Sequence, residues 1–262
     1  MKLKIGPLAV KKTPEEFLEM GFKHVEIDLI KPHSNLETFT ASRIKTLIDI
    51  IKRKKATISI HIPYTVNPSD PIEMIRRANV KYFEKCIILA SKIGAKYVTA
   101  HIGYCNGLPT WKGTRENALE RLALSLKKIL GFAKKYKIYL ALENVNPMPA
   151  DSEFFYLGDS MNDFDYLFSK VRSPYLKMCL DVGHANTIEG PLAYVTKYSD
   201  KIIGVHIHDN GGKYDEHLAI GEGNIDWKKL VLGFKKIKFD GPFVTEIPGD
   251  PFVSREALLK FF

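Results

Sequence analysis

The sequence predicts an α/β protein, a (β/α)8 TIM barrel formed as a single domain over residues 1–262. Three observations lead there. Short β-branched runs alternate with longer amphipathic ones along the whole chain, the pattern of strands laid parallel by crossover helices. Eight such units fit into 262 residues, the usual size of this barrel. No linker, low-complexity tract or change of composition divides them. The structural alternative, a doubly wound open sheet, lacks its common signature, since neither GxGxxG nor GxxxxGK[ST] follows the first strand.

LKIG (3–6) is the first strand, and Thr13-Pro14-Glu15-Glu16 starts the helix after it with an N-cap, a proline at N1 and a capping-box glutamate. HVEIDL (24–29) is the second and carries Glu26 near its end. TISIHI (57–62) ends on His61 and runs into a loop with Tyr64 and Asn67. YVTAHI (97–102) brings His101, and Trp111 in the following loop is a rim aromatic or a cover for substrate. IYLALE (138–143) ends on Glu143, with Ser160 as N-cap of the next helix. LKMCLD (176–181) ends on Asp181, with His184 three residues beyond. IIGVHI (202–207) carries His206; a Gly-Gly turn then folds the chain back toward Asp215 and His217, and Asp226 caps a helix. FVTEI (243–247) closes the series with Glu246.

A chain with 45% hydrophobic and 26% charged residues has an ordinary globular composition. No apolar run reaches the roughly 18 residues of a membrane span, and MKLKIGPLAV has no secretory core, so a cytoplasmic location is expected. Three scattered cysteines suggest neither disulfides nor a thiolate metal knuckle. The net charge of +9 favours phosphate-bearing partners, although runs such as KRKK (52–55) also fit a solvated helix face.

Seven of the eight strands end on Glu26, His61, His101, Glu143, Asp181, His206 or Glu246. Barrel strands converge, so these side chains share one cleft, where unpaired charge costs several kcal/mol per group unless a cation neutralises it. Imidazole with carboxylate and no thiolate suits Zn²⁺ first, with Mn²⁺, Fe²⁺ and Co²⁺ behind. With Glu26 left out, the candidate ligands are His61, His101, Glu143, Asp181, His184, His206, Asp215, His217 and Glu246. One ion needs three or four, so two or three ions are expected. His24, His33 and His208 are read as structural or solvent-facing, with His208 outside the ligand set.

The motifs HIPYTVN (61–67), TAHIG (99–103), ALEN (141–144), CLDVGH (179–184), VHIHDN (205–210), DEHLAIGEGNIDW (215–227) and TEIP (245–248) resemble those of the endonuclease IV / xylose isomerase-like barrel superfamily. The resemblance to endonuclease IV implies one metal on His61, His101 and Glu143, a second on Glu143, Asp181, His206 and Glu246, and a third on His184, Asp215 and His217. It also implies nucleic-acid contacts at Tyr64 and Asn67, with abasic or damaged DNA as partner and phosphodiester hydrolysis as the reaction. The isomerase branch, which HVEIDLIKPHSN (24–35) and CLDVGHAN (179–186) resemble more, implies a single ion on Glu143, Asp181, His206 and Glu246. There Glu143 and Glu246 are the acid–base pair, His184 binds substrate oxygens, and a small sugar or sugar phosphate is isomerised or epimerised. Nine assembled ligands favour the hydrolase, and the sugar isomerase or epimerase is the alternative. Oligomeric state is not legible.

Overall fold

The computed structural model describes residues 3–106 and 112–262, so Trp111 lies outside the described residues. Eight parallel strands form the barrel: β1 (Lys4–Pro7), β2 (His24–Asp28), β3 (Thr57–His61), β4 (Tyr97–His101), β6 (Tyr139–Glu143), β8 (Leu176–Asp181), β9 (Ile202–Ile207) and β10 (Pro242–Thr245). They follow one another around the sheet in chain order. β10 pairs with β1, and a parallel bridge between Leu8 and Glu26 brings β1 to β2. All eight expected strands are present.

Two short strands were not expected. β5 (Tyr104–Asn106) and β7 (Phe154–Tyr156) leave the barrel through two βα loops and pair antiparallel above its mouth.

The helices surround the sheet as their sequences require. In α4 (Thr114–Tyr136), Ala118, Leu119, Leu122, Leu126, Ile129, Leu130 and Ala133 recur at three- and four-residue intervals and are buried against the strands. Each buried leucine or isoleucine there contributes about 1.5–3 kcal/mol. Thr13 and Glu16 form the expected capping box of α1 (Pro14–Glu19), and Asp226 accepts from the Lys229 amide to cap α8 (Trp227–Lys236). Ser160 stands at the N-cap of α5 (Met161–Lys170), but its side chain makes no capping bond. The Glu189 carboxylate accepts from the Met161 amide instead, at 3.0 Å. Among the described residues no helix is long and apolar enough to cross a membrane. All three cysteines are free and buried.

Candidate metal centre

Strand register brings the polar residues together. Asp28 pairs with His61, His101 with Glu143, and Asp181 with His206, all at the C-terminal edge of the barrel. Because successive strand residues alternate faces, Glu26 points the same way as Asp28 but one layer deeper. Glu26 is fully buried and accepts from Thr99 Oγ1 at 3.2 Å and from the Ser59 hydroxyl.

Glu143 is the hub. Its Oε2 lies 2.9 Å from His61 Nε2 and 3.5 Å from His101 Nε2; its Oε1 lies 3.0 Å from His206 Nδ1 and 3.9 Å from His184 Nδ1. The same His206 nitrogen lies 2.8 Å from Glu246 Oε1, while His206 Nε2 faces Glu26 Oε1 at 2.8 Å. His61 donates from Nδ1 to the Ile62 carbonyl, which turns Nε2 inward.

A second knot forms beside the first. His184 Nε2 and His217 Nε2 lie 3.3 and 3.2 Å from Asp215 Oδ2. The loop that carries Asp215 and His217 folds back as expected: Asp209 and Leu218 form an antiparallel bridge, with Gly212 at φ +81° in the turn between them. Asp209 holds the loop from below, accepting from the amides of Gly221 and Ile225 and from the Trp227 indole.

The protons of these clusters follow from burial and neighbouring charge. Burial would raise the Glu143 carboxyl, but the charge on His206 and hydrogen bonds from His206 and His61 outweigh it and hold it well below its ordinary value. Burial opposes charge on His61 and His184, yet Glu143 lifts the first to about 9, and Asp181 and Asp215 lift the second to about 10. His101, with less compensation, is pushed down to about 4 by burial. Protons on imidazole and a divalent cation are therefore rival ways of neutralising the same carboxylates.

The donors fit such a cation. Ligand atoms of His61, Glu143, His206 and Glu246 lie within 4.8 Å of one another, as do those of Glu143, Asp181 and His184. Asp181 Oδ2, Asp215 Oδ1 and His101 Nδ1 are buried without a hydrogen-bond partner. Nitrogen and oxygen donors without sulfur suit zinc or manganese.

A family model described as xylose isomerase-like TIM barrel matches residues 14–260. The chain belongs to that family. Its solved relatives include a D-tagatose 3-epimerase-like protein, 28% identical, with a TM-score of 0.87 and coverage of 99% of this chain and 97% of the other. Among sequence relatives, fructoselysine 3-epimerase of Shigella flexneri is 25% identical over 97% of this chain and 92% of its own. A probable endonuclease 4 of Aquifex aeolicus is 27% identical over 77% of this chain and 72% of its own.

Within this family barrel the expected ligands all reach the mouth, but they divide differently from the expected sets. Asp181 groups with Glu143 and His184 rather than with His206 and Glu246. Asn67, expected as a substrate contact, is not among the described residues that line the pocket. It is buried, donates to the Tyr104 carbonyl at 2.9 Å and accepts from Ser69, so its amide ties the loop after β3 to β5. Tyr64 is half exposed on the rim, its ring 6.3 Å from that of His101.

His208 needs correction. It is fully buried, its Nε2 lies 3.1 Å from Asp181 Oδ1, and it belongs to a cluster with His184, Asp215 and His217. His208 directly follows the end of β9 at Ile207 and lies in the second knot, while His206 lies in the first. Asp28, Asn146 and Tyr156 also line the pocket and were not singled out from the sequence. Only Asp28 had a signal, its place at a strand end two residues after Glu26.

Proposed function

We propose that the protein is a metal-dependent epimerase or isomerase acting on a small keto-sugar or its phosphate. The observation that carries this reading is the pair of carboxylates, Glu143 from β6 and Glu246 from β10, meeting at 3.0 and 2.8 Å on the same nitrogen of His206 beneath a pocket of about 330 Å³. A divalent ion, which Glu143, His206 and Glu246 with Asp181 or His61 would hold, would supply electrophilic polarisation of a substrate carbonyl and its neighbouring hydroxyl. Glu246, at the pocket wall, removes the proton on the carbon beside the carbonyl. For configuration to invert with no net change in composition, Glu143, itself held ionised, would return to the other face a proton taken up from a neighbouring imidazolium such as His61, 2.9 Å away. His101, kept neutral by burial, and His184 contact substrate oxygens.

Size and charge support a small substrate. Asp28, Asp215 and Glu246 face the pocket, and Lys31, the one lysine or arginine among its described lining residues, lies 3.8 Å from Asp28. A nucleic acid would need several phosphate contacts there. An adjoining groove of about 890 Å³ shares His217 and Glu246 and is walled by Leu8, Phe17 and Ile247, which leaves room for a substituent on the sugar.

Phosphodiester hydrolysis is the second reading, favoured by one observation, the second cluster around Asp215. The test is a panel of ketohexoses, their phosphates and an abasic-site duplex, each with Mn²⁺ or Zn²⁺. Conversion of a ketose to its epimer, falling by roughly 100-fold or more in both Glu143→Gln and Glu246→Gln, is the expected result. Nicking of the duplex with no sugar converted would reverse the order of the two readings.

A further inference from the structure

We propose that Tyr156 sets the substrate class of the first centre, the one around Glu143 and His206: positioned by Arg115, it forms an aromatic wall that receives the C–H face of an unphosphorylated ketose. The proposal rests on the epimerase or isomerase reading of that centre and adds a preference that the metal ligands do not supply.

The wall follows from strand geometry. Alternate residues of β7 face opposite ways, so Phe155 is buried in the core while Phe154 and Tyr156 share the other face. Tyr156 thereby reaches the pocket, where its ring stands edge-on to His101 with centroids 6.1 Å apart. Phe154 backs it at 5.5 Å, and Tyr64, whose ring lies 6.3 Å from that of His101, continues the aromatic lining. Burial raises the Tyr156 phenol above its ordinary value, and Tyr64, Tyr104 and Asp215 nearby add to the effect, so it stays a neutral hydroxyl.

The backbone that carries this ring is held on both sides. Tyr156 pairs with Tyr104 on β5, and the Leu157 amide donates to the Gly103 carbonyl at 2.9 Å. Val145, two residues after Glu143, donates to the Gly158 carbonyl at 3.1 Å. Gly158 has φ +87°, and a Cβ there would fall 2.6 Å from Ile102, so glycine lets the exit of β7 press against the end of β4.

Arg115, in the first turn of α4, gathers the same segment. Its guanidinium forks onto Asp159 at 2.8 and 2.9 Å, reaches Asp163 at 2.6 Å and the Tyr156 carbonyl at 3.4 Å, and lies 4.9 Å over the Phe155 ring. Asp163 also accepts from the Gly158 amide at 2.7 Å. Residues 155–163 are thus folded around one planar cation that touches no pocket surface of its own.

This arrangement also sets the preference. Two carboxylates already occupy Arg115, and Lys31 is held by Asp28. A phosphate group, with about 1.5 to 2 negative charges, would meet phenols and the Asp215 carboxylate at the wall. A neutral sugar instead packs its C–H face on the rings and pairs a hydroxyl with a phenol, which both donates and accepts.

The experiment measures kcat, KM and calorimetric Kd of the Mn²⁺-loaded full chain for ketohexoses and their 6-phosphates. The free sugar should exceed its phosphate in kcat/KM by roughly tenfold or more. Tyr156→Ala should raise KM and Kd by roughly tenfold with kcat within about threefold, the pattern of a contact made equally in ground and transition states. Tyr156→Phe, which keeps the ring, should stay within about threefold in KM. Arg115→Met, checked for folding by circular dichroism, should raise KM as Tyr156→Ala does, and the double variant should be no worse than Tyr156→Ala alone. Additive losses would overturn the positioning role of Arg115. Preference for the phosphate, or KM and Kd within about twofold in Tyr156→Ala while the wild type converts a ketose, would overturn the proposal alone. A wild type that binds a ketose through Tyr156 and converts none would sink the reaction and keep the wall; one that binds no ketose would sink both.

Discussion

Glu26→Gln tests how the first centre is oriented. Glu26 touches no substrate, is fully buried, and accepts on one oxygen from His206 Nε2 at 2.8 Å and on the other from Thr99 and Ser59. The carboxylate fixes the His206 ring so that Nδ1 faces Glu143 and Glu246, and it makes that nitrogen a stronger donor. Glutamine keeps the shape and loses the charge. A hydrogen bond to a charged group is worth about 1.5–3 kcal/mol and a neutral one about 1, so about 1–2 kcal/mol of support is lost. At 1.4 kcal/mol per factor of ten, that is roughly 5- to 30-fold in metal affinity. The assay is competition with a chromophoric chelator at a series of pH values. His206 is buried, which opposes its charge, yet neighbouring Cys179, Glu246, Glu143 and Glu26 raise it well above the ordinary histidine value. Protons therefore compete with metal more strongly in the wild type, so the deficit of the variant should widen as pH rises. Affinities within about twofold at every pH would refute the reasoning.

Two further perturbations probe the scaffold. His24, fully buried between Thr57 and Ser59, is pushed down by burial to about 4 from 6.5. Between those values the unfolded chain binds a proton that the native chain does not, so stability falls as pH drops through 6.5 toward 4, by up to about 3 kcal/mol. Urea unfolding of metal-free protein should show that loss in the wild type relative to His24→Gln, and parallel pH profiles would contradict it. A methyl group at Gly183 would stand 1.9 Å from the His208 ring, so Gly183→Ala should cost about 1–3 kcal/mol and displace that ring from Asp181. An unchanged melting temperature would show that the ring is free to move.

The barrel was legible because each strand is a compact β-branched run and each helix repeats its apolar face, both local signals. The converging ligands were legible for the same reason: a residue at the end of a recognisable strand has a known direction. The β5–β7 pair was not, since three residues carry little periodicity and the partners lie about fifty positions apart. Asn67 shows the limit of spacing, because its neighbour Tyr104 is 37 residues away and nothing local shows that its amide is tied inward. His208 lay outside the ligand sets that the family resemblance implies, and only the fold shows its imidazole beside His184, Asp215 and His217.

The central claim is that Glu143 and Glu246 move a proton on a sugar carbon beside a carbonyl. The most direct measurement is nuclear magnetic resonance of ketohexoses and ketose phosphates incubated in deuterated water with the Mn²⁺-loaded protein. Deuterium should enter at the carbon next to the carbonyl, and Glu246→Gln should abolish that exchange while retaining its fold. Absence of exchange from every ketose, with metal bound at the first centre, would contradict the account.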